Sequence, residues 1–150
     1  MIYRASRDGD SAKVFHDICD NISPTLIVVN TREGWKFGGY SEVSWHVDSF
    51  FFNYEQSYKE CNNSFIFSLN LKKKYLNKHT GAEIFCSKRK GPSFGFELDF
   101  SIADNCLQRN SSCNFPGSYG DKEERNEFNG NKTLFLVKEL EVYSVQLKDK

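Results

Sequence analysis

Nucleophiles and proton carriers are the first residues to weigh in this chain: five cysteines, Cys19, Cys61, Cys86, Cys106 and Cys113, and three histidines, His16, His46 and His79. A thiolate needs a neighbouring base, and Cys19 with His46 is a pairing that a fold could assemble. No histidine lies in a G-x-S-x-G or H-E-x-x-H motif, and buried cysteine is ordinarily inert. An odd number of cysteines without a CxxC pair fits neither a disulfide framework nor a structural zinc site, so free thiols in a reducing compartment are expected. Carboxylates offer the second chemistry, with Asp99, Glu139 and Glu141 all on expected strands. Glu139 and Glu141 alternate with Leu140 and Val142, which places both on the face away from the core as an acidic outer surface. An inward Glu141 would need a partner such as Arg7.

Two glycine-containing stretches could bind ions. Asp8-Gly9-Asp10 begins like a calcium loop, but the fifth, sixth and twelfth loop positions are Ala12, Lys13 and Cys19, so a turn capping the next helix is the better account. Gly91-Pro92-Ser93-Phe94-Gly95 follows the basic run Lys88-Arg89-Lys90, yet it precedes a strand and lacks the helix dipole that makes phosphate loops work. A structural turn is expected there, with no metal and no cofactor.

These residues must be positioned by a mainly β framework. The centre is Gly34 to Trp45, which sets Trp35, Phe37, Tyr40 and Trp45 around Gly38-Gly39, a pattern for a bulge or a closely approached strand. The β-branched run Thr25 to Asn30 precedes it across a glycine turn, predicting a hairpin whose first strand is buried on both faces. Val14, Phe15 and Ile18 predict a short amphipathic helix over 12–19, ended before Pro24. Phe65, Phe67 and Leu69 alternate as one buried face, and Phe96, Leu98, Phe100 and Ile102 as another. Lys72-Lys73-Lys74 marks a solvated edge, and Leu140, Val142 and Val145 close the core. Residues 46–63, with Phe50-Phe51-Phe52, predict a long loop or insertion, and one of those aromatics, such as Phe51, would form a partner site if exposed. Residues 103–131 predict a surface excursion. The outcome is one domain over 1–150, an α+β, mainly β fold: a two-sheet antiparallel β-sandwich with one or more short flanking helices.

Composition narrows the partners. Twenty basic residues balance twenty acidic ones, so no overall field attracts nucleic acid or an anionic membrane. No apolar run has the length of a membrane span and the N-terminus lacks the apolar core of a signal peptide, so no direct membrane insertion and a cytoplasmic location are expected. Fourteen phenylalanines point to an aromatic core.

In order along the chain, Ile2-Tyr3-Arg4-Ala5-Ser6-Arg7-Asp8-Gly9, Phe15-His16 with Cys19-Asp20, Pro24-Thr25-Leu26, Phe37-Gly38-Gly39-Tyr40, Trp45, Ser64 to Leu69, Gly91 to Gly95 with Asp99, Gly117-Ser118-Tyr119 and Glu139 to Tyr143 resemble the TLDc domain of the oxidation-resistance protein family. The resemblance implies a two-sheet sandwich and a non-catalytic interaction module, acting in oxidative-stress resistance and binding the vacuolar-type proton ATPase. It implies no catalytic set. Arg7, Asp8, Gly9, Gly38, Gly39, Trp45, Phe51, Gly91, Ser93, Gly95, Asp99 and Glu141 are the motif and binding candidates. The stretch between Trp45 and Ser64 is longer than the family's, and Cys61 or Asn62 stands where an acidic residue is usual. The chain begins almost at the first motif, as a monomeric domain excised from a longer protein would. The alternatives are a hydrolase or redox enzyme using a carboxylate pair or a reactive cysteine, and a targeting module of a larger cytoskeletal or ubiquitin-pathway protein.

Overall fold

The computed structural model describes residues 1–47, 55–125 and 127–149. In chain order the elements are β1 (Tyr3–Arg4), α1 (Ala5–Asp8), α2 (Ala12–Cys19), β2 (Thr25–Thr31), β3 (Lys36–Ser41), β4 (Gln56–Lys59), β5 (Phe65–Ser68), β6 (Lys73–Leu76), β7 (Ile84–Ser87), β8 (Lys90–Phe94), β9 (Phe100–Ala103), β10 (Ser111–Ser112), β11 (Leu134–Phe135) and β12 (Val137–Ser144). They form two antiparallel sheets of six strands each, ordered β1-β12-β2-β3-β5-β6 and β11-β10-β9-β8-β7-β4. This is the sandwich with short helices that the strand pattern predicts.

Hydrophobic alternation explains the layers. In β2, Thr25, Ile27, Val29 and Thr31 are buried, whereas Leu26, Val28 and Asn30 are only half-buried. The strand therefore faces the core on one side, not on both as the unbroken apolar run predicts. β3 pairs with β2 in unbroken register from Asn30↔Lys36 to Thr25↔Ser41, so Gly38-Gly39 is no bulge. It is a place of close approach: a Cβ on Gly38 would lie 1.8 Å from the Ile27 carbonyl oxygen, and one on Gly39 would lie 2.5 Å from the Phe94 ring. Phe94 belongs to the other sheet, so the missing side chain at Gly39 lets the sheets meet through an aromatic ring. Around that contact Phe37, Phe94, Phe100, Phe128 and Phe135 stack or pack edge-on with centroids 4.5–5.7 Å apart, distances at which rings add stability beyond area burial.

Several expectations are corrected. Phe65 and Phe67 lie on the outer face of their sheet, where Phe65 stacks on Tyr40 and Phe67 covers Gly38; Ile66 and Ser68 point inward and Leu69 is exposed. Within 46–63, β4 pairs with β7 at the sheet edge; it escapes notice because its residues are polar. Phe50, Phe51 and Phe52 lie outside the described residues. Residues 90–94 form strand β8 and not a turn, while Phe96 is exposed and Leu98 has a φ of 60°, so only Phe100 and Ile102 of that alternating set are core. Residues 103–131 are no mere surface excursion: Cys106, Cys113, Phe115, Tyr119 and Phe128 are all buried in the core. Lys73 and Lys74 begin the edge strand β6, so the basic run does mark an edge.

Candidate functional site

Asp99 is the residue about which the sequence motifs converge. It lies one position before β9, not within a strand, and it is fully buried. Its Oδ2 accepts from the backbone N–H of Gly117 at 2.8 Å and of Tyr119 at 3.1 Å, and its Oδ1 from that of Ser118 at 2.8 Å. Gly95, with φ +96°, is required beside it, because a Cβ there would lie 2.0 Å from Asp99 Oδ1. Gly117 is a second close approach, its Cβ position 3.0 Å from the same oxygen. Gly95 and Asp99 on one side and Gly117-Ser118-Tyr119 on the other thus form an internal brace between two loops. Burial pushes the Asp99 carboxyl up to about 6 against the pull of the three amides.

The brace extends through Tyr119, whose hydroxyl donates to the Glu83 carbonyl at 2.9 Å and lies 2.8 Å from Ser64 Oγ. Glu83 is a second fully buried carboxylate, accepting from the backbone N–H of Cys61 at 3.0 Å and of Gly81 at 3.1 Å. Sequence reasoning missed it: Gly81-Ala82-Glu83 carries no motif, and only the tertiary fold brings the Cys61 amide to it. Both carboxylates are thus buried and satisfied by backbone amides, which ties loops together inside the domain.

The other sequence candidates serve the frame. Arg7 pairs with Asp8 at 2.8 Å, whose other oxygen accepts from Arg4 N–H at 2.9 Å, and Tyr3 donates to the Gly9 carbonyl at 2.7 Å. The Arg7 guanidinium holds the Asp8 carboxyl below its ordinary range. Trp45 is fully buried and its indole N–H donates to Thr25 Oγ1 at 2.9 Å. Ser93 Oγ donates to the Gly91 carbonyl at 3.1 Å and meets Ser101 Oγ at 2.7 Å, while a Cβ on Gly91 would press on Ile102 at 3.2 Å. Glu141 accepts from the Tyr143 hydroxyl at 2.5 Å on the outer face, away from Arg7. Glu139 shares that face and takes Ser6 and Arg4. Asp99, buried beside the second sheet, is therefore apart from Glu139 and Glu141, which share the outer face of β12 as the alternation predicts.

All five cysteines are buried and none is in a disulfide, and burial pushes the thiols of Cys19, Cys106 and Cys113 up to about 12, which disfavours their thiolates. His46 is exposed and bonds Ser44 Oγ at 2.7 Å, so it does not activate the fully buried Cys19. Among the described residues no three His, Cys, Asp or Glu side chains gather as a metal site.

His16 is built into the fold through both ring nitrogens. Its Nδ1 lies 2.6 Å from Asp20 Oδ1, and its Nε2 lies 2.7 Å from the Ser87 carbonyl and 3.0 Å from that of Lys90. Every partner is an acceptor, so only the doubly protonated ring satisfies all of them. Among the described residues the partners of Nε2 are backbone carbonyls and not a hydroxyl or thiol. Burial pulls the pKa of His16 down, but Asp20 and the two carbonyls outweigh it and hold it above the ordinary value. Its contribution to stability is fully present below the unfolded pKa of about 6.5 and is lost as pH rises through the higher folded value. His16→Gln is expected to cost about 1.5–3 kcal/mol below that range and less above it, since hydrogen bonds to charged groups carry that much. Denaturant melts of both proteins across pH 5 to 9 check this; parallel curves would contradict it.

Beside the brace lies a surface groove of about 420 Å³ lined by Thr80, Phe96, Glu97, Gly117 and Ser118. Ser118 Oγ accepts from the Phe96 N–H at 2.9 Å, so the brace sets the groove wall. Phe96 is 57% and Tyr58 45% exposed, with their rings 5.4 Å apart. Among the described residues that line it, Glu97 is the one with a titratable side chain, and such a surface can hold a partner side chain. The family model for the TLDc domain matches residues 1–146 of this chain, and no curated protein matches it.

Proposed function

The chain belongs to the TLDc domain family, a family associated with oxidative-stress resistance, and from that membership we propose that it is a non-catalytic interaction domain whose partner is the vacuolar-type proton ATPase. The single observation that carries the reading is where the chemistry went. Asp99 and Glu83 are held inside by backbone amides, the thiols are buried, and the groove whose wall Asp99 braces through Ser118 exposes aromatic carbon beside one carboxylate. An exposed Phe and Tyr framed by polar residues is the composition of a binding hot spot. Among the described residues no helix is long and apolar enough to cross a membrane; the domain would reach acidic organelles at their cytosolic face through the partner it holds.

Affinity capture from cell lysate with wild type and Phe96→Asp tests this. Subunits of the ATPase are expected on the wild-type resin and reduced at least about tenfold with the variant, the effect typical of a hot-spot aromatic. Phe96 is exposed, so the fold survives the change. Absence of ATPase subunits from the wild-type eluate would end the partner assignment, and equal capture by both would remove the groove from the contact.

A further inference from the structure

The outer corner of the first sheet carries a surface that the ATPase reading does not use. β5 and β6 form a hairpin with register Phe65↔Leu76 and Phe67↔Lys74. Since Ile66 and Tyr75 face the core, Phe65, Phe67, Lys74 and Leu76 share the outer face, and Leu69 follows them by alternation. Leu69 and Leu71 at the hairpin turn are each 48% exposed and Leu76 is 65% exposed. Lysines stand among them: Lys74 Nζ lies 4.7 Å above the Phe65 ring, Lys72 is at the turn, and Lys36 joins the same corner through the Leu69 N–H bond to its carbonyl.

Lysines on an edge strand guard against sheet-to-sheet pairing, but that role does not call for three exposed leucines. Lys73, which points inward, is already engaged by Glu124 and Glu127. Of the acidic residues on the same outer face, Glu42 sits at the end of β3 opposite Lys36, where it accepts from Tyr40 and Asn63, and Glu139 and Glu141 stand on β12, four strands from β6 and therefore roughly 19 Å away, beyond the Debye length at physiological salt. Net neutrality of the whole chain thus hides a local basic and apolar corner.

We propose that this hairpin docks on a negatively charged lipid surface, with Leu69, Leu71 and Leu76 entering the headgroup layer and Lys36, Lys72 and Lys74 meeting lipid phosphate and carboxylate. A convex turn with leucines flanked by lysines supplies the two terms that peripheral adsorption needs, buried apolar area and attraction to anionic lipid. The contact is superficial and requires no membrane span. It is independent of the ATPase assignment, because vesicles of pure lipid contain no protein partner.

The test is co-sedimentation of the whole chain with phosphatidylcholine vesicles, with and without about 30 mol% phosphatidylserine, at about 0.15 M salt, where polybasic adsorption is still effective. Wild type is expected to pellet with the anionic vesicles only and to be released at high salt. Lys72→Glu/Lys74→Glu should weaken binding by more than about tenfold, given on the order of fivefold per lysine. Leu69→Ser/Leu71→Ser should weaken it as well with every lysine retained. All four positions are exposed, and unchanged circular dichroism confirms the folds compared. Failure to pellet with anionic vesicles, equal pelleting with neutral ones, or variants that bind like wild type would each overturn the proposal.

Discussion

Gly38→Ala is expected to be the most damaging single methyl in the chain, leaving little or no folded protein. Its Cβ would sit 1.8 Å from the Ile27 carbonyl oxygen and 2.7 Å from the tip of the Phe67 ring. The ring could swing away, but the carbonyl belongs to β2, the strand paired with β3 and with β12. Relief requires two central strands to separate, so the cost exceeds the 1–3 kcal/mol of ordinary overpacking and is expected above about 4 kcal/mol, a large part of the 5–15 kcal/mol a domain has. Gly39→Ala supplies the contrast. Its obstacle is the Phe94 ring at 2.5 Å, a side chain, so Phe94→Leu in the same molecule should recover part of the loss. Denaturant unfolding of the four proteins decides the matter: a Gly38→Ala domain within about 1 kcal/mol of wild type would contradict the close-approach account.

Replacing the carboxylate at the brace has the second largest expected effect. Asp99→Asn keeps the volume but offers one oxygen, so its NH2 must confront an amide that Asp99 now accepts. A buried unpaired donor costs about 1–3 kcal/mol and a charged bond more, giving an expected loss of roughly 2–4 kcal/mol. The loss is pH-dependent in a direction unlike that of most carboxylates. Burial raises Asp99 from 3.8 to about 6, so the folded state binds this proton more tightly than the unfolded state. Stability from this group therefore rises as pH falls from about 6 towards 4, by at most about 3 kcal/mol, and Asp99→Asn removes that slope. Asp8, Glu124 and Glu139 are held below their ordinary values by their partners and pull the other way. The difference between wild-type and Asp99→Asn melts at each pH isolates Asp99; a difference that stays constant from pH 4 to 7 would refute the assignment.

Much of the frame was legible because it follows from local rules. Ser11 caps helix α2 by accepting from the Val14 N–H, and the Thr25 run followed by Gly34 reads directly as the β2–β3 hairpin. The errors arose where a residue's face depends on a strand elsewhere. Phe65 and Phe67 read as core because they are large, yet Gly38 leaves a hollow on the outer face that Phe67 fills. Phe96 breaks its alternation because Gly95 adopts φ +96° to clear Asp99, a constraint imposed by residues 117–119. The polar composition of 103–131 concealed Phe115, Tyr119 and Phe128, which reach the core from irregular segments. Of the site, Asp99, Gly95 and Gly117 were visible as motif residues, but their shared task was not, and Glu83 had no signal at all.

On the proposed reading the groove's shape must persist between encounters with a partner, and the groove's wall is tied to Asp99 through Ser118. Amide hydrogen exchange at Gly117, Ser118 and Tyr119 measures that tie directly. These three N–H groups should exchange only through global unfolding, as slowly as the central strand β2, and in Asp99→Asn they should exchange through local opening while β2 keeps its protection relative to the new global stability. Rapid exchange at these amides in the native wild-type protein would contradict the account.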